Sequence, residues 1–137
     1  MIALSVDLGH ARTGLAVSDK GGLLASSLCV ITEYNDEKLI EKIAEKASET
    51  HAEILVVGLP RNMDGSEGES AQRARAIADK LGELTGLPYH MQDERGTTIT
   101  AHAYLSSGSV YGKKRKQKVD AVAASIILQD YLDSRRQ

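Results

Sequence analysis

The chain has no tryptophan and no phenylalanine, and its five tyrosines are scattered. Readers of single-stranded nucleic acid stack bases on clustered aromatic side chains, so a stacking platform of that kind does not fit this sequence. A single cysteine, Cys29, excludes an internal disulfide and sits in an apolar context as a small filler. No apolar run approaches the roughly 20 residues that cross a bilayer. The first residues, Met1-Ile-Ala-Leu-Ser-Val-Asp7, lack the basic segment and cleavage pattern of a secretory signal. No membrane association and a cytoplasmic address are the expectation. A net charge of −2 gives no overall pull toward a polyanion, so the distribution of charge matters more than its sum.

What is present suffices for a core. Of 137 residues, 42% are hydrophobic and 26% charged, ordinary values for one globular domain spanning 1–137. Residues 2–7 are apolar and β-compatible, Arg12 to Ser18 resumes that pattern, and Leu23 to Ile31 follows the Asp19-Lys-Gly-Gly22 turn. Short connections predict an antiparallel meander. Leu39, Ile40, Ile43, Ala44 and Ala47 form a helical stripe within Asp36 to Thr50. Glu53-Ile-Leu-Val-Val57 reads as a strand buried on both faces. Ser66-Glu-Gly-Glu69 fits a capping box for a helix reaching about Thr85. Tyr89 to Gln92 gives a fifth strand. Thr97 or Thr98 caps a short helix to about Ser106, a loop over 107–118 follows, and a last helix runs from about Gln117 to Ser134. Strand–helix–strand units give parallel neighbours. The expected fold is α/β: a mixed five-stranded sheet, a three-strand antiparallel meander followed by two parallel strands, with helices on both faces.

Three acidic positions stand out. Asp7 ends an apolar strand, where a carboxylate is costly unless paired or bound to a cation, and Gly9 beyond it allows close approach of backbone or phosphate. Asp93-Glu94-Arg95-Gly96-Thr97-Thr98 puts more polar groups at a strand-to-helix junction than a cap needs. Alternation sends Asp93 and Glu94 to opposite faces, so one of them suffices as a ligand, and Glu94 is preferred. Asp120 sits in an almost wholly small and apolar helical stretch, where an ion pair to Arg95 or Arg12 competes with metal ligation. If the fold brings them together, Asp7, Glu94 and Asp120 make an oxygen-ligand site suited to Mg²⁺ or Mn²⁺. Five cations within the six positions 113–118 (Lys113, Lys114, Arg115, Lys116 and Lys118) precede Asp120 and would grip phosphates, with Arg12, Arg61, Arg95, Thr97 and Thr98 as further contacts. Asp64 reads as part of an Asp-Gly turn. His10, His51, His90 and His102 show no ligand spacing.

Four motifs occur in register: Asp7-x-Gly-x-x-Arg-x-Gly14, Val57-Gly-Leu-Pro60 with Asp64-Gly-Ser66, Asp93-Glu-Arg-x-Thr-Thr98, and Val119-Asp-Ala-Val-Ala-Ala124. In this order the chain resembles the YqgF/RuvX family. The resemblance implies an RNase H-like fold and a nuclease acting on pre-16S ribosomal RNA, in a family earlier regarded as Holliday-junction-resolvase-like. It further implies that Asp7, the Asp93–Glu94 pair and Asp120 form an acidic catalytic cluster. RNA (pre-rRNA, within ribosomal precursor particles) or branched DNA would be the partner, and the oligomeric state stays open. Gly96 departs from the family pattern, which has an apolar residue there. Two rivals belong to other classes: a phosphotransferase of the sugar-kinase or actin type, which needs two such domains, and a non-catalytic RNA-binding assembly factor.

Overall fold

The computed structural model describes residues 1–94 and 112–135. Five strands form one sheet: β1 (Ala3–Leu8), β2 (Arg12–Ser18), β3 (Ala25–Thr32), β4 (Ile54–Leu59) and β5 (Tyr89–Asp93). Three helices are described, α1 (Asp36–Glu49), α2 (Glu69–Thr85) and α3 (Gly112–Arg135). The strand order is β3-β2-β1-β4-β5. The meander β1-β2-β3 is antiparallel, and β4 and β5 add in parallel beside β1. The mixed sheet expected from the sequence is the one observed.

Alternation along the strands divides the core. Leu4, Val6, Leu15, Leu55 and Val57 point to one face and pack against Leu39 and Ile43 of α1 and Ala74, Ile77 and Leu81 of α2. Ala3, Ala16, Ile54 and Val56 point to the other and meet Ala124, Ile127, Leu128 and Tyr131 of α3. Burying each large aliphatic side chain contributes about 1.5–3 kcal/mol. Only the middle strands are sealed on both sides, and β4 is buried at all six positions.

Local signals explain the boundaries. The Asn35 side chain caps α1 by accepting from the Lys38 amide at 3.0 Å. Gly86, at φ 72°, closes α2 in the left-handed conformation that glycine adopts without strain. Strand β3 starts at Ala25 rather than Leu23, because the Asp19 carboxylate accepts from the amides of Leu23 and Leu24 and prolongs the turn.

Two expectations are corrected. The capping box at Ser66 does not form: α2 starts after Gly68, without a side-chain cap. Ser66 instead donates its hydroxyl and its amide to Asp64, and the Asn62 amide donates to the Ser66 carbonyl, closing the Asp-Gly turn. Local hydrogen bonding of a short polar side chain here outcompetes capping. The basic run, expected in a loop, lies within the first turns of α3 from Gly112 onward. Lysine, arginine and glutamine are good helix formers, which favours extending the helix through them. The expected helix after Thr97 and Thr98 falls outside the described residues.

A buried polar contact ties α3 to the sheet. The Ser5 hydroxyl, fully buried, donates to the Ala124 carbonyl at 2.7 Å. Replacing Ser5 with Ala should lower unfolding stability in urea by about 1 kcal/mol, since the lost hydroxyl leaves a carbonyl that still has its helical partner. An unchanged denaturation midpoint would show that this bond does not hold the helix.

Candidate active site

Asp7 is the third residue, after Ala3 and Ser5, on the β1 face that meets α3. Its register partner on β2 is Gly14, which places no side chain beside it. Two strands away, the chain continues past β5 with one further ladder contact, from the Glu94 amide to the Leu59 carbonyl at 3.3 Å. Alternation therefore persists at the strand end. Glu94 turns toward the α3 side, and Asp93 turns away from it.

The strand between them lacks a side chain where the two acids approach each other. Gly58 of β4 follows Val57, whose register partner on β1 is Val6. A Cβ at Gly58 would collide with the Glu94 carboxylate oxygen Oε2 and would come within 3.0 Å of the Ile127 methyl on α3. A side chain at Gly58 would make the Glu94 carboxyl and the Ile127 methyl give way. The Glu94 side chain lies across this bare position and hydrogen-bonds to Asp7.

Two carboxyls in contact cannot both be ionised without cost. Burial, then the neighbouring Asp7 charge, push the Glu94 carboxyl up to about 9 from an ordinary 4.5. The pair therefore favours keeping one proton between its two carboxyls. Asp93 adds a smaller repulsion from outside.

Asp93 faces Arg61, whose Nη1 lies 3.8 Å from Oδ2, and Arg61 Nε lies 3.5 Å from Glu67. Arg61 is thus engaged by two acids, an arrangement that its expected phosphate contact would have to share. Arg12 opens β2, and its carbonyl accepts from the Gly9 amide at 3.0 Å across the turn that follows Asp7. Arg95, Thr97 and Thr98 lie outside the described residues. Lys113, Lys114, Arg115 and Lys116 belong to the first turns of α3, and their side chains lie outside the description, as does that of Asp120.

The backbone nevertheless fixes where Asp120 stands along α3. The helix runs antiparallel to β1: Ala124 meets Ser5, and Leu132 lies near Met1 and Ala3. Four residues back from Ala124 is about 6 Å along a helix, and two residues on from Ser5 is about 6.6 Å along a strand. Asp120 on α3 and Asp7 on β1 are therefore at the same level of the structure. Among the described residues no cluster of three or more His, Cys, Asp or Glu side chains forms. Asp7 and Glu94 are the described pair.

Sequence reasoning missed Gly58 as part of the site, since Gly-Leu-Pro reads as a strand terminator. It also missed Ser5, which sets the height of α3. A cavity of about 750 Å³ lies between the C-terminal ends of α1 and α2, lined by Glu41, Ala44, Leu84 and Leu87 among others. It is on the opposite face from Asp7 and Glu94.

A family model described as "RuvX: Holliday junction resolvase" matches residues 1–134. The chain belongs to the RuvX family. A relative from Anaeromyxobacter sp. (strain Fw109-5), named "Putative pre-16S rRNA nuclease", is 42% identical over 132 residues, covering 96% of each chain. A Leuconostoc citreum relative of the same name is 42% identical over 137 residues, covering 98% of this chain and 96% of that one. The solved Thermus thermophilus RuvC structure superposes with a TM-score of 0.60 at 15% identity, covering 99% of this chain and 96% of the other. That likeness establishes the RNase H-like architecture. No described helix of this RuvX-family chain is long and apolar enough to cross a membrane.

The proton held by the pair has a measurable consequence. A carboxyl whose folded value is raised contributes stability that is complete below the unfolded value and is lost as pH climbs through the folded one. Without metal, the melting temperature should fall as pH rises from 4.5 toward about 9. Glu94→Gln should flatten that fall, and added Mg²⁺ should restore the wild-type protein more at the alkaline end than at the acid end. Equal pH slopes for the two proteins in a thermal melt would contradict the contact between the carboxyls.

Proposed function

We propose that this chain is a divalent-metal-dependent nuclease that hydrolyses phosphodiester bonds in precursor 16S ribosomal RNA. The observation that carries the reading is the Glu94 carboxyl laid across Gly58 onto Asp7, at the end of the central strands. Membership of the RuvX family and the names of its relatives support both the reaction class and the substrate.

The donors present fit a hard cation. Two oxygen-bearing side chains share one place, and their mutual repulsion is what a divalent ion would remove. Asp7 and Glu94 would hold the ion, and Asp120, at the same height on α3, would complete the set. Mg²⁺ or Mn²⁺ bound there supplies Lewis-acid stabilisation of charge on the reacting phosphate. The protein's own residues do the rest. On binding a cation the Asp7–Glu94 pair would release its shared proton to solvent. Asp7 presents its carboxylate from a strand buried on both faces, which keeps it from swinging. Arg12, Arg95, Thr97, Thr98 and the cations of 113–118 would bind phosphates and set the register of the strand, the usual division between positioning and chemistry. Arg61 pairs with Asp93 beside the site, 3.8 Å from its carboxylate.

The family description names a DNA substrate, the Holliday junction, and that observation favours a second reading in which branched DNA is cut at the same carboxylates. One assay separates the two. With Mg²⁺ and a pre-16S RNA fragment, the wild-type chain should cleave, and Asp7→Asn should cut more than about a thousandfold more slowly while binding RNA within about twofold of wild type. Cleavage of a four-way DNA junction alone would move the assignment to the second reading. An Asp7→Asn variant that cleaves RNA at the wild-type rate would remove Asp7 from the chemistry.

A further inference from the structure

We infer that Arg73 of α2 is a positioning residue for the site: it clamps the turn that follows Asp7 and so holds the Asp7 and Arg12 backbones in place. The inference rests on the nuclease reading above for its catalytic consequence, but its geometry stands apart from it.

Arg73 lies on the helix face opposite α3's side of the sheet, yet it reaches the end of β1. Its Nη1 donates to the Gly9 carbonyl at 2.8 Å. Its Nη2 donates to Asp36 Oδ1 at 2.8 Å, with Nε 3.3 Å from both carboxylate oxygens. One planar guanidinium thus bridges the first turn of α1 to the turn 9–12. Such a fork has fixed directions, which a flexible lysine ammonium does not reproduce. The Arg73 guanidinium in turn holds the Asp36 carboxyl below its usual range.

The turn it grips is short and tightly closed. The Gly9 amide donates to the Arg12 carbonyl at 3.0 Å, and a Cβ at Gly9 would collide with that same oxygen. The Glu33 amide donates to the Ala11 carbonyl at 2.9 Å. The turn is therefore held from two sides, by β3's exit and by Arg73. Asp7 lies two residues before the gripped carbonyl, and Arg12 three after it. Two of the groups assigned to the reaction, Asp7 and Arg12, flank the same turn. Freeing the Gly9 carbonyl would let the turn rock about its Ala11 tether, which would move Arg12 and loosen the Leu8–Thr13 end of the ladder next to Asp7. Displacements of this size are costly to catalysis even when binding survives.

The Arg73 and Asp36 side chains are both reached by solvent, so the pair adds little to global stability. That separates a positioning effect from unfolding. The experiment uses the full chain as wild type, Arg73→Met, Arg73→Lys and Asp36→Asn, with amide hydrogen exchange and steady-state cleavage kinetics measured on each. In Arg73→Met the Gly9 amide should exchange about tenfold faster at an unchanged melting temperature. Its kcat should fall about tenfold or more, with KM within about twofold. Arg73→Lys and Asp36→Asn should lie between it and wild type. Unchanged Gly9 exchange in Arg73→Met would overturn the clamp, whether or not any of the proteins cleaves RNA. Faster exchange with a raised KM and an intact kcat would overturn the positioning role in favour of direct substrate contact. A Met variant too unstable to assay leaves the decision to Arg73→Lys and Asp36→Asn, where wild-type exchange and kcat in both would overturn the inference. Loss of cleavage in the wild-type protein itself would sink the nuclease reading alone.

Discussion

Two carboxyl groups pressed together in a half-buried place repel unless something shares them. In this protein the contact between Asp7 and Glu94 is that constraint, and much of the architecture is arranged around it. A proton relieves it in the free chain. A divalent cation would relieve it more completely, and would then sit where a phosphodiester could be drawn in. A site whose resting form is strained in this way gains affinity for cations from the relief of that strain, which is one means of tuning acids for catalysis.

The sheet makes the contact possible. Strands β1, β4 and β5 are parallel, so their C-terminal ends lie along one edge, and side-chain alternation sends Asp7 and Glu94 to the same face. Between them β4 carries Gly58, and the missing side chain is the space that Glu94 crosses. Helix α3 lies over this face, with its height set by the Ser5–Ala124 bond and its basic first turns toward the same end. The other face carries the larger apolar core with α1 and α2. The candidate site thus shares its face with the smaller core beneath α3, and the larger core on the far side supplies most of the apolar burial.

Much of the fold was legible in the sequence because it rests on local periodicity. The stripe Leu39, Ile40, Ile43, Ala47 and the continuous run Ile54 to Val57 mark α1 and β4 within a residue or two. The Ser66 capping box failed because a nearer partner, Asp64, took the hydroxyl, and nothing in a spacing rule weighs two local acceptors against each other. The basic run was read as loop from its charge, whereas helix propensity and the following apolar stripe carried α3 through it. For the site, alternation put Asp93 and Glu94 on opposite faces, but the choice between them needed the backbone past β5, where the Glu94 amide still bonds to Leu59. The parts that could not be read are tertiary. Gly58 looks like punctuation until Glu94 is seen lying on it, and Arg73 looks like one more cation on a solvated helix face until its partners in the turn after β1 and on α1 are known.

The claim that Asp7 and Glu94 share one cation is tested most directly by Mn²⁺ anomalous scattering from crystals of the wild-type chain. The account predicts an anomalous peak bonded to oxygens of both Asp7 and Glu94, beside Gly58. A peak bound elsewhere, with the two carboxyls still joined to each other, would contradict it.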